Sequence, residues 1–91
     1  MEEDLIFKAK QMWKEGDSAQ ALALLNDPSL KENPQADFLS GEIRYNSQEW
    51  GLALNSFRRV LQLDPENLAA QTYVDLILNI LGFFHTDQFN P

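Results

Sequence analysis

The apolar residues of this chain recur at three- and four-residue spacings, which places them along one face of an α-helix. The clearest case is the segment GLALNSFRRVLQLDP, in which Ala53, Phe57, Val60 and Leu61 share a face. Pro65 follows the segment and ends the helix, because proline lacks the backbone N–H and disfavours helical geometry in the residue before it. The pattern predicts a helix over about residues 48–63 with one buried side.

The same spacing predicts four more helices, and no segment shows the alternation typical of a half-buried strand. These helices cover about residues 2–15, 18–26, 34–46 and 67–84, and residues 29–33 are expected to be a polar linker. Asn33 is the expected N-cap of a helix that starts at Pro34. Asp17 or Ser18 is the expected N-cap of the second helix. Short connections between helices predict an all-α chain of antiparallel neighbours.

The first two predicted helices match the third and fourth at an offset of 32 residues. The matched pairs are Ala9 and Gly41, Trp13 and Tyr45, Gly16 and Gln48, Ala21 and Ala53, and Leu25 and Phe57. A two-helix unit that repeats at this period is typical of a helical solenoid, in which Ala21 and Ala53 are expected to lie where helices touch.

The segment GEIRYNSQEWGLALNSFRRVLQLDPEN resembles a tetratricopeptide repeat (TPR). The matching residues are a small residue, Gly41, then Ala53, the aromatic Phe57, and the closing Asp64, Pro65 and Asn67. The segment WKEGDSAQALALL resembles the central turn of the same unit. The resemblance covers residues 2–67 and implies an all-α, α-α superhelix of two TPR-like hairpins in a single domain. Its parts are repeat 1 (about 2–33), repeat 2 (about 34–66), a C-terminal capping helix (about 67–84) and a tail (85–91).

Several residues depart from the TPR pattern. Asp37, Ser40 and Arg44 stand where the family has large apolar residues, and Pro28 falls inside the expected second helix of the first unit. These departures leave the fold class unchanged, but they predict unusual packing of the third helix.

The TPR resemblance also implies a partner-binding inner surface, formed mainly by the first helix of each pair. The matching positions are Ile6, Lys10, Trp13, Phe38, Glu42, Tyr45 and Leu76, with Thr72 and Asn79 beside Leu76. Aromatic side chains on such a wall anchor a peptide or a partner helix; the alternative for Trp13 and Tyr45 is ordinary packing. Some family members bind a C-terminal carboxylate with Lys, Arg and Asn. Here Ile6 and Leu39 occupy such positions, so that mode is not expected.

The predicted last helix is apolar on nearly all sides, more than one neighbouring helix can cover. The hypothesis is a homodimer or an obligate partner that packs on Ile77, Ile80, Leu81, Phe83 and Phe84. The alternative is that Phe89 of the tail and the fourth helix cover this surface.

The charge and composition narrow the classes of partner. The formal net charge is −7 and no Lys or Arg follows Arg59, which argues against nucleic acid and anionic membranes as partners. The acidity by itself is also explained by solubility. The chain has no cysteine, which excludes disulfides and fits a reducing compartment. The acidic start MEEDLIF lacks the features of a signal peptide, so a cytoplasmic location is expected.

The sequence offers little catalytic or metal-binding chemistry. His85 is the one histidine, and with Asp87 it makes too few ligands for zinc. Glu42 and Glu49 lie two turns apart and are expected to be solvated rather than paired for acid–base catalysis. We therefore expect no enzyme, cofactor or metal, but a non-catalytic scaffold that binds a peptide or partner helix on its concave face. The alternative is an assembly subunit that self-associates through its last helix.

Overall fold

The computed structural model describes residues 1–82, and all of its regular secondary structure there is helical. The elements are α1 (Glu2–Lys14), α2 (Ser18–Leu25), a short 3-10 helix (Pro28–Leu30), α3 (Pro34–Asn46), α4 (Trp50–Leu63) and α5 (Leu68–Ile80). Residues 1–82 contain no strand, so the all-α prediction is confirmed for them. The predicted tail, His85 and the interface residues Phe83 and Phe84 lie outside the described residues.

Three of the α-helices begin at a side-chain N-cap. The Asp17 carboxylate accepts the backbone N–H of Gln20, which decides between the two predicted caps of α2. The Asn33 side chain accepts the N–H groups of the second and third residues of α3, as predicted for a helix that starts at Pro34. Asn67 caps α5 in the same way, with a bond of 2.9 Å from Ala70.

The turns after α1 and α3 have the same backbone geometry at the predicted offset of 32 residues. Gly16 has φ of 88° and Gln48 has φ of 62°, so both occupy the left-handed region. Two hydrogen bonds recur in each turn: Gly16 to the Trp13 carbonyl and Asp17 to the Met12 carbonyl, then Gln48 to the Tyr45 carbonyl and Glu49 to the Arg44 carbonyl. The internal repeat therefore extends from the sequence to the conformation of the backbone.

Three predicted boundaries are corrected. The fourth helix begins at Trp50 rather than residue 48, because the left-handed Gln48 belongs to the turn. The predicted linker contains the end of a 3-10 helix, whose Leu30 is buried in the core. The fifth helix ends at Ile80, and Gly82 follows with φ of 86°, the conformation that commonly terminates a helix.

The helices pack in chain order around α3. Helix α1 packs on α2, α3 on α4 and α4 on α5, while α3 also contacts α1 and α2. Two clusters of buried residues result. The first joins α1 and α2 to Ala36, Leu39 and Ile43 of α3, and the second joins α4 and α5. Ala21 and Ala53 are both fully buried, one in each cluster.

Two of the α3 residues that depart from the TPR pattern, Asp37 and Arg44, meet polar partners on α4. The Nε of Arg59 donates to Asp37 at 3.2 Å. Arg44 Nη1 and Arg59 Nη2 both donate to the hydroxyl of Ser56, each at 3.4 Å. Ser56 is fully buried, so the α3–α4 contact contains a polar strip beside its apolar core. This strip is the physical account of polar residues where apolar ones were expected.

Candidate functional site

A cavity of about 570 Å³ lies between α1, α3 and the start of α5. Four of the predicted groove residues line it together: Ile6 and Lys10 from α1, and Phe38 and Glu42 from α3. Its other lining residues are Pro34, Gln35, Leu39, Asp64, Asn67 and Ala69. We call this cavity the groove.

Helical periodicity and one cap bring these side chains together. Ile6 and Lys10 are four residues apart on α1, and Phe38 and Glu42 are four apart on α3, so each pair follows one face. The α4–α5 turn supplies the floor, where the Asn67 cap sets the direction of α5. The groove therefore has two walls of alternating apolar and charged side chains and a floor at the start of α5.

An aromatic cluster adjoins the groove, and Tyr73 lies at its centre. The Tyr73 ring stacks on Phe57 with centroids 4.3 Å apart and planes within 5°. It meets Phe38 and Tyr45 edge to face, at 5.8 Å and 5.0 Å. Tyr45 in turn meets Trp50 at 5.3 Å. Phe57 is fully buried, whereas the other four rings remain partly exposed, so the cluster forms both core and surface.

Glu42 connects the groove with the aromatic cluster. Its carboxylate lines the groove and accepts a long hydrogen bond of 3.4 Å from the Tyr73 hydroxyl. Burial raises the pKa of Tyr73 above its ordinary value, and the negative charge of Glu42 raises it further. Tyr73 is therefore a neutral donor to Glu42 over the physiological pH range.

The groove carries more negative than positive charge. Among residues 1–82, Lys10 is the one basic residue that lines it, against the carboxylates of Glu42 and Asp64. A shallow depression that shares Pro34 and Gln35 with the groove adds three acidic side chains, Glu2, Glu3 and Glu32. The Asn33 side chain, which also lines this depression, donates to Glu2 at 2.8 Å. The electrostatic potential at this end of the groove is therefore negative.

The remaining predicted groove residues lie elsewhere. Trp13 is half-buried against the first core cluster, and Tyr45 belongs to the aromatic cluster. Leu76 lines a separate depression on α5 with Thr72, Asp75 and Asn79. Tyr73, three residues earlier on α5, contacts Tyr45 of α3, whereas Leu76 is exposed.

The predicted oligomer interface divides into buried and exposed residues. Ile77 is fully buried in the second cluster and has no surface to offer another molecule, so its assignment is corrected. Ile80 and Leu81 are exposed, at 47% and 42%. Leu81 also lines a mostly apolar cavity of about 700 Å³ between α4 and α5. Its other lining residues are Gly51, Leu52, Leu54, Asn55, Arg58 and Leu78.

Sequence reasoning missed Tyr73 and the polar floor of the groove. Tyr73 lies three residues after Ala70 and four before Ile77, both fully buried, so helical spacing already placed it beside the buried face of α5. Asp64 and Asn67 were assigned to the closing turn of the repeat. Their place in the groove depends on how α5 returns towards α3, which no local pattern encodes.

Comparison with models of known families, with curated proteins and with solved structures gives no match. Within residues 1–82, no group of three or more Asp, Glu, His or Cys side chains lies close enough to hold a metal ion. The helices of this part of the chain are too short or too polar to cross a membrane.

Proposed function

We propose that this protein is a non-catalytic adaptor that binds a peptide or a partner helix in the groove. In this proposal α1–α2 and α3–α4 are two TPR-like hairpins and α5 caps them. The observation that supports it is the convergence of Ile6, Lys10, Phe38 and Glu42 in one cavity. An apolar surface with a few polar groups suits a peptide, because the apolar part supplies affinity and the polar groups set orientation.

The groove has the size and setting of a peptide subsite. Its volume of about 570 Å³ falls within the usual range for ligand pockets, which is roughly 300–1,000 Å³. The partly exposed rings of Phe38 and Tyr45 provide rigid anchoring surface beside it. The repeated turns after α1 and α3, at an offset of 32 residues, support two related hairpins on which such a surface is built.

The test is to fill the groove without disturbing the core. Ala69 is exposed and lines the groove, so Ala69→Trp places a bulky ring inside it. Ala23 is exposed on α2 and lines neither the groove nor the depression beside it, so Ala23→Trp is the matched control. Peptides selected from a random display library on the wild-type protein should bind Ala69→Trp at least about tenfold more weakly. They should bind Ala23→Trp and wild type equally.

Two results count against the adaptor. One is a library that yields no binder to the wild type, and the other is a set of binders that Ala69→Trp holds as tightly. Circular dichroism melts of both variants establish that each is folded before binding is measured.

A second function, self-association through α5, is favoured by a different observation. Leu52 of α4 and Leu76, Ile80 and Leu81 at the end of α5 are exposed, and Leu52 and Leu81 line the apolar cavity between these helices. Burying such side chains against a second molecule is favourable. Light scattering after size exclusion should show a wild-type dimer that Leu81→Asp converts to a monomer. Leu68→Asp, at a more exposed position at the start of α5, is the control. A monomeric wild type rules this function out.

A further inference from the structure

The groove and the aromatic cluster meet at one ionised side chain. Phe38, Glu42 and Tyr45 occupy positions i, i+4 and i+7 of α3, so the carboxylate lies between two aromatic rings on the same face. The Tyr73 ring contacts both of these rings, and its hydroxyl reaches Glu42. A carboxylate framed by three partly exposed rings provides two attractions for a cation, which are charge pairing and the negative faces of the rings.

Glu42 retains most of its capacity to accept hydrogen bonds. A carboxylate has about four lone-pair sites. Within residues 1–82 the only hydrogen bond to this side chain is the long one from Tyr73, and no Lys or Arg lies within 4.0 Å of its oxygens. A charge-assisted bond from a guanidinium or ammonium group is shorter and about twice as strong as a neutral one. The side chain can therefore accept a cation that residues 1–82 do not supply.

We propose that the groove takes a peptide with a lysine or arginine side chain, whose cation pairs with Glu42 and packs against Phe38, Tyr45 and Tyr73. This inference rests on the proposed adaptor function and specifies its partner. Asp64 and the acidic depression beside Pro34 extend the negative surface along the groove, so neighbouring basic residues of the peptide are also favoured. The ligand preferred here is positively charged, whereas the C-terminal carboxylate that some TPR proteins bind is negatively charged.

The position of Lys10 limits where in the groove the basic side chain of the peptide can bind. It extends from α1, whereas Glu42 lies on α3, and the two form no salt bridge. A cation at Glu42 is held on the side of the aromatic cluster, and the apolar lining residues Pro34 and Ala69 are left to contact an apolar peptide residue. The predicted ligand therefore combines a basic residue with an apolar neighbour, rather than a uniformly basic segment.

The test uses the peptides selected on wild-type protein, synthesised with acetylated N-termini and amidated C-termini. Lysine or arginine should be enriched at one fixed position. Replacing that residue with norleucine, which keeps the chain length and removes the charge, should weaken binding about tenfold. Glu42→Gln should weaken the basic peptide by a similar factor and leave the norleucine peptide unchanged. Glu49→Gln, an exposed carboxylate on the adjoining turn, should have no effect.

Salt dependence provides a second measurement that does not depend on comparing variants of different stability. Affinity of the wild type for the basic peptide should fall as sodium chloride increases, since exposed charge pairs are screened. The same titration with the norleucine peptide should be nearly flat.

The outcomes separate this inference from the function on which it rests. Peptides that Ala69→Trp rejects but that show no basic enrichment, or that bind Glu42→Gln within twofold, overturn the cation site and leave the adaptor intact. Selected acidic peptides, or a second copy of this chain as the only occupant, also overturn it. A library without any groove-dependent binder overturns both.

Discussion

The ring of Phe57 packs directly against the backbone of Gly41, across the contact between α4 and α3. A Cβ atom at Gly41 would lie 2.7 Å from Cζ of Phe57 and 2.8 Å from each Cε. The ring has no room to withdraw, because it is fully buried and stacks on Tyr73. The small residue of the third helix and the aromatic residue of the fourth are thus one close-packed pair that sets the distance between the two helices.

Gly41→Ala should lower the free energy of unfolding by about 1–3 kcal/mol, the usual cost of overpacking a well-packed core. Gly51 is the control: it lies in α4 with open space around its Cα, and Gly51→Ala should raise stability by up to about 1 kcal/mol. Urea denaturation of both variants measures the difference. Equal stabilities would show that Phe57 moves aside freely and that the pair does not set the helix spacing.

Gln48 adopts a left-handed backbone conformation that suits glycine, and the matching position in the first turn is a glycine, Gly16. Gln48→Gly should therefore stabilise the protein by about 1 kcal/mol, since a side chain is strained there. Ser47 in the same turn has φ of −91°, so Ser47→Gly removes no strain and should not stabilise. Thermal melts compare the two variants. A stabilised Ser47→Gly would show that glycine stabilises this turn at any position, and that relief of strain at Gln48 is not the cause.

Ser56 is the buried acceptor shared by Arg44 and Arg59. Ser56→Ala should cost about 1–2 kcal/mol, because Arg44 already has a buried Nε without a partner and would lose the bond from its Nη1 as well. Arg59→Ala should cost less than about 1 kcal/mol, since its pair with Asp37 is partly exposed. Ser47→Ala, at an exposed serine, is the control, and chemical denaturation ranks the three variants. A larger loss of stability for Arg59→Ala than for Ser56→Ala would show that the exposed ion pair with Asp37 contributes more to the polar strip than the buried hydroxyl does.

Tyr73 should titrate above its ordinary pKa of 10.0, because burial and the charge of Glu42 disfavour the tyrosinate. Well below pH 10 the Tyr73 hydroxyl is protonated in folded and unfolded chains alike, so the stability that this group contributes is fully present. Above that value the unfolded chain loses the proton first, and stability falls until the folded pKa is passed.

Tyr73→Phe should reduce this alkaline loss of stability, while Tyr45→Phe should leave it in place. Ultraviolet absorbance of tyrosinate follows the titration directly, and in Tyr45→Phe it reports Tyr73 alone. A titration at the ordinary pKa would contradict the contact between Tyr73 and Glu42.

Local sequence was sufficient for much of the fold. The apolar spacing located all five helices, and the caps Asn33 and Asp17 were predicted, because these features depend on residues within about one turn. The offset of 32 residues also anticipated the matching turns at Gly16 and Gln48.

The candidate site was predicted in part. Ile6, Lys10, Phe38 and Glu42 were grouped from their positions along two helices, and they share a cavity. Leu76 was grouped with them, whereas Tyr73 occupies the place beside Glu42. Thr72, which was named beside Leu76, precedes Tyr73 by one residue. One residue along α5 corresponds to a rotation of about 100°, since a helical turn contains 3.6 residues. The spacing of apolar residues does not determine that rotation when most sides of a helix are apolar.

By itself, the sequence determined that residues 1–82 are helical, that α3 starts at Pro34 behind the Asn33 cap, and that two of the turns are alike. Only the tertiary structure decided that Asp37 and Arg44 face polar partners on α4, that Ile77 is buried while Leu81 is exposed, and that Tyr73 reaches Glu42. The physical reason is how far apart along the chain the interacting residues lie. Helices and caps form from neighbours along the chain, whereas the rotation of α3 and α5 follows from close packing between distant residues, above all of Phe57 against Gly41.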